Sequence, residues 1–245
     1  MYIKILIIFI IIIFIIIISI YILIISYLTY KLNKIPMYCI YIPEREKYIK
    51  NFFNNLGLKI NYIKGVDKNT IDVNKLIESG KVKKYPRVNQ SRIACHYSHL
   101  NVLKEFLKSG KERCIIFEDD INTDYTKVNL LYIFNYLMYN LPKNTDLLYI
   151  GYCGEKCDKN TKYDQYYTLA YKPYCRHAYS VNRFSAQEII DKTSMMYYNG
   201  DKMISDLIRD NKLICYLSNY QIFTQNREEI KTTLGDKYMK LPLCI

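Results

Sequence analysis

The sequence predicts an α/β domain with a parallel sheet, preceded by one N-terminal membrane-spanning helix. Three observations indicate this: a long uncharged run at the N-terminus, an alternation of short apolar strands with amphipathic helices after it, and one apolar strand that ends in three carboxylates. The chain has 245 residues, of which 50% are hydrophobic and 24% charged. It is therefore neither disordered nor too short to bury a core without metal or disulfide crosslinks.

The first element is the apolar run Ile5–Leu28, which contains 24 consecutive uncharged residues. At about 1.5 Å per residue, such a helix exceeds the roughly 30 Å hydrocarbon core of a bilayer. A cleaved signal peptide has an apolar region of only about 7–15 residues and a small-residue cleavage site, and no such site follows Tyr27. We therefore expect an anchor over residues 1–30, a linker over 31–36 and a domain over 37–245.

The soluble part opens with a β-branched and aromatic run, Met37–Ile42, which predicts a buried strand. An amphipathic segment follows from Glu44 and stops at Gly57, as helices often do at glycine. The alternating run Leu58–Val66 then predicts a second strand. This strand–helix–strand order is typical of a parallel α/β sheet.

The alternation continues to the end of the soluble part. Asn89 or Ser91 can cap a helix that ends at Gly110, and the apolar strand Cys114–Phe117 comes next. We expect four further elements: a helix from about 129 to 140, a strand at 146–150, a strand near 178–181 and a helix over 185–191.

The formal net charge of +12 favours anionic partners. Without Lys4 of the anchor, the soluble part holds 34 basic and 23 acidic residues and carries +11. A sugar nucleotide, an anionic membrane surface and nucleic acid would each fit this charge. The basic residues are scattered singly, and no helix-turn-helix, zinc-finger or RNP-like pattern accompanies them, so we do not expect nucleic-acid binding.

The eight cysteines are mostly far apart in the sequence, which favours buried free thiols. Cys153 and Cys157 form the one close pair, a weak zinc signal without a second pair. The redox compartment stays open. The other cysteines are Cys39, Cys95, Cys114, Cys175, Cys215 and Cys244.

Three carboxylates, Glu118, Asp119 and Asp120, follow the apolar strand directly. The carboxyl ends of strands line the ligand crevice in open parallel sheets. Adjacent carboxylates repel one another unless they share a cation, and hard oxygen ligands suit Mg²⁺ or Mn²⁺ bound with substrate phosphates. The alternative is a solvated acidic turn.

The runs Ser91–His99 and Cys114–Ile121 resemble the LPS glycosyltransferase family, glycosyltransferase family 25, with its Cys-x-x-Ser-His helix and its strand ending in Glu-Asp-Asp. The resemblance covers roughly Met37–Gln225. It departs from the family at Ala94, where glycine is usual, and at Pro43. Further similar segments are Tyr38–Ile42 with Arg45, Lys64–Asp67, Asp146–Gly151, Ala178–Tyr179 and Asp201.

The resemblance implies a GT-A fold, which is a Rossmann-like α/β domain, and a membrane-anchored glycosyltransferase. The implied reaction transfers a sugar, commonly galactose, from a UDP-sugar to a hydroxyl of a glycan or protein acceptor, with inversion at the anomeric carbon. This chemistry needs charge neutralisation of the departing diphosphate, a base for the attacking hydroxyl and an oriented donor.

The resemblance also implies roles for single residues. Mn²⁺ or Mg²⁺ would be held by Asp120 with Asp119 or Glu118 helping, and Asp201 would be the catalytic base, with Asp206 as its rival. Asp201 is also a plausible helix N-cap. Donor-binding roles fall on Arg45, Asp67, Ser98, His99 and Glu118.

Several alternatives remain open at this level. His96 and His99 lie on one helix face, which superficially suggests zinc, whereas the resemblance makes Ser98 and His99 a hydrogen-bonded packing element. Arg176 and His177 are candidates for contact with acceptor or phosphate. The departures at Ala94 and Pro43 leave a binding or adhesion protein on a decayed glycosyltransferase domain as the second function.

The membrane topology rests on conflicting clues. Lys31, Lys34, Arg45 and Lys47 follow the anchor and favour a cytoplasmic domain. The family analogy and the glycosylation sequon that begins at Asn89 favour the secretory lumen. We expect a single-pass membrane protein with a lumenal domain.

Overall fold

A computed structural model describes residues 2–84, 88–155, 159, 161–227 and 230. Its helices are α1 Tyr2–Leu32, α2 Glu46–Leu56, α3 Val73–Glu78, α4 Gln90–Lys108, α5 Lys127–Tyr139, α6 Arg183–Thr193 and α7 Gly200–Arg209. Its strands are β1 Met37–Tyr41, β2 Asn61–Lys64, β3 Arg113–Glu118, β4 Ile121–Asn122, β5 Leu147–Gly151, β6 Thr161–Lys162, β7 Tyr167–Leu169, β8 Ala178–Asn182, β9 Cys215–Ser218 and β10 Thr224–Gln225.

Local capping explains where the helices begin and end. The side chain of Asn89 accepts a hydrogen bond from the amide of Arg92 and caps α4, as predicted. Gly57 ends α2 in the left-handed conformation, at φ 77°, which costs glycine little. Short 3₁₀ turns follow β1 at Pro43–Arg45 and β2 at Lys68–Thr70.

Eight strands form one sheet in the order β2-β1-β3-β8-β5-β9-β7-β6. The pairs β2–β1, β1–β3 and β5–β9 are parallel, and β8 runs antiparallel between β3 and β5. The molecule is therefore mixed α/β with most strands in one direction, and the expectation of a parallel sheet is wrong at β8 and at β7, which is antiparallel to its neighbours β9 and β6. The segment before β8 contains no helix, so no crossover helix constrains its direction.

Helices cover both faces of the sheet. On one face, α1, α2 and α5 pack over a core that includes Met37, Cys39 and Phe117. On the other face, α4, α6 and α7 pack over Ile116, Tyr149 and their neighbours. The predicted elements at 129–140, 146–150, 178–181 and 185–191 correspond to α5, β5, β8 and α6.

Helix α1 is the one helix in the described residues that is long and apolar enough to cross a membrane. It continues to Leu32, and Leu28 and Leu32 are buried in the core beside α5. The predicted linker thus begins inside a helix that packs on the domain. The division into anchor, linker and domain stays a prediction.

The cysteines correct one expectation and confirm another. Cys153 forms a disulfide with Cys175, so both are bonded rather than free, and Cys153 is not half of a zinc pair. Cys157 and Cys244 lie outside the described residues. The expectation of free thiols is confirmed for Cys39, Cys95, Cys114 and Cys215, and all of these except Cys95 are buried.

Candidate active site

A crevice of about 530 Å³ lies where β1, β2 and β3 end. Its walls are the turns after β1 and β2, the first turns of α4, the acidic end of β3 and the start of α7. This is the sheet edge where parallel strands present their carboxyl ends, as the sequence predicts. The candidate residues that line it are Arg45, Asp67, Ser98, His99, Glu118, Asp119, Asp120 and Asp201.

Asp119 is fully engaged by the turn after β1. Its Oδ2 accepts a hydrogen bond from the amide of Ile42 at 2.7 Å, and its Oδ1 accepts one from Nη1 of Arg45 at 2.8 Å. The side chain is buried. Because both oxygens already have protein donors, Asp119 joins β3 to β1 and offers little to a metal ion.

Only one carboxylate oxygen of Asp120 accepts a hydrogen bond from the described residues. Its Oδ2 accepts a hydrogen bond from Nε2 of Gln225 at 3.1 Å and lies 3.7 Å from Nη1 of Arg45. Its Oδ1 is buried and has no hydrogen-bond partner among the described residues. Burial, followed by the charge of Glu118, raises the pKa of Asp120 to about 7. The carboxylate is held in place with a vacant acceptor.

Glu118 is oriented by His99. Its Oε1 lies 3.0 Å from Nε2 of His99, whose Nδ1 lies 3.2 Å from the hydroxyl of Tyr179. Burial lowers the pKa of His99 well below its ordinary value, so the ring is neutral. When Glu118 is ionised, the ring therefore donates from Nε2 and accepts at Nδ1 from Tyr179. Burial, then the charge of Asp201, raises the pKa of Glu118 to about 7.

Ser98 holds two elements together. Its hydroxyl donates to the carbonyl of Ala94 at 2.7 Å and accepts from the amide of Val66 at 2.8 Å. Ser98 thus ties α4 to the turn after β2. Together with the hydrogen bonds of His99, this is the packing element that the resemblance implies.

The two histidines of α4 do not converge. Nε2 of His96 lies 2.8 Å from the carbonyl oxygen of Thr193, away from His99. The structure instead brings together the thiol of Cys95, His99 and Glu118, with ligand atoms within 4.8 Å of one another. The sequence analysis did not predict this group of possible ligands, because Cys95 and His99 lie on α4 whereas Glu118 lies on β3.

Arg176 and Asp201 form the wall opposite the acidic strand end. Nε of Arg176 lies 3.0 Å from Oδ1 of Asp201, in a side chain that is only 1% exposed. Within the described part of the chain, its Nε and Nη1 make no hydrogen bond of good geometry, so the contact is an ion pair only. A buried arginine with two unused donors lines the crevice.

Gly200 allows this packing at the start of α7. A Cβ at Gly200 would overlap Nη2 of Arg176 and Nδ1 of His96, so any larger residue would displace the guanidinium. The side chain of Asn199 accepts a hydrogen bond from the amide of Lys202 and caps the helix. The N-cap interpretation of Asp201 is therefore wrong, and its carboxylate is left for the crevice.

The remaining candidates divide between the crevice and its surroundings. Asp67 lines the crevice and accepts a hydrogen bond from the amide of Asn69 at 2.9 Å. Asp206 does not line it, and pairs with Lys202 and with Arg209 along α7. His177 is buried behind the site, with Nε2 3.2 Å from the carbonyl oxygen of Phe223.

Comparisons with known proteins add a family and two structures. A family model described as glycosyltransferase family 25 (LPS biosynthesis protein) matches residues 41–208. A crystal structure of a protein from STIV is 10% identical, with a TM-score of 0.40, over 76% of this chain and 82% of that chain. A glycosyltransferase involved in the glycosylation of the major capsid of PBCV-1 is 9% identical, with a TM-score of 0.31, over 71% and 66%. None of the curated proteins compared with the chain matches it.

Proposed function

Because the chain belongs to glycosyltransferase family 25, we propose that it transfers a sugar from a UDP-sugar to a hydroxyl of a glycan or protein acceptor, with inversion. Galactose is the first candidate for the sugar. The observation that carries the proposal is the crevice, which is lined both by the carboxylates at the end of β3 and by the ion pair of the buried Arg176 with Asp201. The parallel set β2-β1-β3 behind this crevice supports the finer assignment to the GT-A class.

The donor diphosphate is the ligand that suits the cationic groups of the crevice. Arg45 follows β1, and Arg176 contributes two nitrogens, Nε and Nη1, that make no hydrogen bond within the described chain, although Nε is ion-paired with Asp201. Buried donors of this kind are normally satisfied, and hydrogen bonds between a guanidinium and a phosphate are among the strong ones. Phosphate oxygens would satisfy Arg176 and hold the leaving group.

The residues at the end of β3 fit a divalent cation, with Glu118 rather than Asp119 as the second ligand beside Asp120. Asp120 has a buried oxygen without a hydrogen-bond partner among the described residues, and Glu118 lies beside it, whereas each oxygen of Asp119 accepts a hydrogen bond from the turn after β1. We therefore assign Mn²⁺ or Mg²⁺ to Asp120 and Glu118. When bound, such an ion supplies Lewis-acid stabilisation of the charge on the departing diphosphate.

Asp201 is the proposed base. Its carboxylate, about one-third exposed, reaches both the solvent and the crevice. There it can accept the proton of an acceptor hydroxyl as that oxygen attacks the anomeric carbon. The ion pair with Arg176 fixes its position. Asp206 forms ion pairs with Lys202 and Arg209 outside the crevice, so we assign it no role in the transfer.

Helix α1 is the proposed anchor, and we place the domain in the secretory lumen. The disulfide between Cys153 and Cys175 supports an oxidising compartment. The exposed Asn89 of the sequon points the same way, although its side chain also caps α4. In intact microsomes a lumenal domain should resist added protease. Complete digestion without detergent would overturn the lumenal placement.

The function is tested with the full chain in nanodiscs and a panel of UDP-sugars with Mn²⁺, following release of UDP. Asp201→Asn should lower transfer by about 10²–10⁴-fold and leave the donor-induced rise in melting temperature intact, since only proton transfer is lost. Asp206→Asn, on the same helix, is the matched control and should stay within about twofold. If no UDP-sugar raised the melting temperature or released UDP, the decayed binding protein would replace the enzyme.

A further inference from the structure

A thiol, an imidazole and a carboxylate converge on the crevice beside the proposed Mn²⁺ ligands. Cys95 and His99 are four residues apart on α4, so their side chains lie on one face of the helix. Glu118 comes from the end of β3, and its Oε1 lies 3.0 Å from Nε2 of His99. The possible ligand atoms of the three residues all lie within 4.8 Å of one another, and all three residues line the crevice. They therefore form one cluster that a ligand in the crevice can reach.

The spacing of this cluster is close to that of a zinc site. Zinc bonds of about 2.0–2.3 Å in a tetrahedral arrangement separate the ligand atoms by about 3.3–3.6 Å. The pair of His99 and Glu118 is at 3.0 Å, and no two ligand atoms of the cluster are more than 4.8 Å apart. The side chains therefore need to move by only about 1 Å to bind one ion.

His99 can bind an ion through Nε2 and keep its other hydrogen bond. Its Nδ1 lies 3.2 Å from the hydroxyl of Tyr179, and a hydroxyl can accept a hydrogen bond as well as donate one. When an ion occupies Nε2, the ring carries its proton on Nδ1 and donates it to Tyr179. Most metal-bound histidines have such an outer partner, because it fixes the tautomer and the orientation of the ring. Tyr179 is buried and supplies that partner here.

The ligand types favour zinc over the ions proposed for the diphosphate. Mg²⁺ and Mn²⁺ prefer oxygen ligands, which Asp120 and Glu118 supply, whereas a thiolate with an imidazole and a carboxylate suits Zn²⁺. Cys95 is partly exposed and the side chain of Glu118 is 24% exposed, so an ion can enter from the solvent. Arg176 is ion-paired with Asp201 at 3.0 Å, which offsets its repulsion of a bound cation.

We propose that Cys95, His99 and Glu118 form a Zn²⁺ site that inhibits the transferase when it is filled. Glu118 is the ligand that this site shares with the proposed Mn²⁺ or Mg²⁺ site of Asp120. A zinc ion on Glu118 takes a ligand from the catalytic ion, and two divalent cations that share one carboxylate repel each other. The binding of zinc does not depend on the enzymatic activity, whereas the inhibition rests on the proposed function.

Co²⁺ is the probe for the thiolate ligand, because a cobalt–thiolate bond absorbs strongly in the near ultraviolet and cobalt bound by oxygen alone does not. The metal-free full chain is titrated with Co²⁺ in nanodiscs. The background protein carries Cys157→Ser and Cys244→Ser, because these two cysteines lie outside the described residues. We expect a band that saturates at about one equivalent of Co²⁺ and that Zn²⁺ removes and Mg²⁺ does not.

Three variants of the background protein assign the ligands. Cys95→Ser should abolish the band, and Glu118→Gln should weaken Co²⁺ binding at least about tenfold. Asp120→Asn is the matched control and should keep the band, because it removes a ligand of the Mn²⁺ site only. A background protein without the band, or a band that persists in Cys95→Ser, would overturn the proposal.

The competition between the two ions is measured on Mn²⁺ bound in the presence of UDP, by electron paramagnetic resonance. Zn²⁺ should release Mn²⁺ from the background protein, and Cys95→Ser should need at least about tenfold more Zn²⁺ for the same release. UDP release from the UDP-sugar should fall over the same range of Zn²⁺ concentration. Equal sensitivity of the two proteins to Zn²⁺ would overturn the competition. A protein that shows the cobalt band and the displacement of Mn²⁺ but releases no UDP would refute the proposed transferase and confirm the zinc site.

Discussion

The two edges of the central sheet hold similar polar groups in opposite states. At the edge where the strands begin, Asp146 accepts hydrogen bonds from Ser185 at 2.6 Å, from the amide of Ile214 at 2.8 Å and from Asn182 at 3.0 Å. At the crevice edge, Oδ1 of Asp120 is buried and has no partner in the described chain. One carboxylate is satisfied by its own fold, and the other is not.

Two arginines, Arg113 where the strands begin and Arg176 in the crevice, differ in the same way. Arg113 donates to the carbonyls of Thr145 and Asp146 and to the hydroxyl of Ser180. Arg176 is more deeply buried, yet two of its nitrogens make no hydrogen bond within the described residues. Unsatisfied buried groups lower stability, and a fold retains them where a ligand completes them. The first edge stabilises the protein, and the second carries the groups that we propose to bind the donor.

The largest effect that separates the two edges is expected from Asp120→Asn. Transfer should fall by at least about 10³-fold, because the amide no longer supplies the anionic ligand at the diphosphate. The melting temperature at pH 8 should stay level or rise, since the substitution removes a buried negative charge that lies beside Glu118. Asp124→Asn, an exposed neighbour, is the matched control and should change neither quantity. An Asp120→Asn protein with normal transfer would show that the edges do not differ in function.

Asp146→Asn should have the reverse profile. We expect a loss of about 2–4 kcal/mol in the free energy of unfolding, because the amide cannot accept all three hydrogen bonds that hold β5, β8 and the start of α6. Chemical denaturation of the full chain in detergent measures it. Asp191→Asn on the exposed face of α6 should cost less than about 0.5 kcal/mol. Equal losses from the two variants would contradict the assignment of Asp146 to a structural network.

The smallest expected effect is a pH dependence confined to the crevice edge. The pKa values of Glu118 and Asp120 are raised to about 7 by burial, above ordinary values of 4.5 and 3.8. Between about pH 4 and pH 7 the folded state binds more protons than the unfolded state, so the contribution of this pair to stability falls as pH rises. The loss continues through pH 7 and is complete about one pH unit above it. Mn²⁺ should therefore raise the melting temperature more at pH 8 than at pH 5.5.

The variant Glu118→Gln/Asp120→Asn isolates this contribution. Its stability relative to the wild type should increase by about 1–3 kcal/mol from pH 5 to pH 8, because the amides cannot ionise. His96 and His177 act oppositely, since burial lowers their pKa values to about 3 and about 4 and their contribution is lost as pH falls below 6.5. They are unchanged in the variant and cancel in the difference. A pH-independent difference in thermal unfolding would refute the raised pKa values.

Much of the fold and part of the site could be predicted from local pattern. Apolar periodicity, caps and glycine stops located α2, α4, β1, β3 and β5, because these signals act within a few residues of the chain. The carboxylates that follow β3 line the crevice because residues directly after a strand lie at the sheet edge where that strand ends. The family followed from motifs of the same short range.

Only the tertiary structure decided which groups meet. The antiparallel insertion of β8, the pairing of Arg176 with Asp201 and the disulfide between Cys153 and Cys175 join segments that no local period connects. The same holds for Asp119, which looks identical to Asp120 in sequence and differs because Ile42 and Arg45 occupy its oxygens. The sequence by itself determined the elements and the acidic strand end, since these depend on near neighbours. The hydrogen-bond partners and the burial of each side chain depend on packing between distant segments, and so only the tertiary structure decided them.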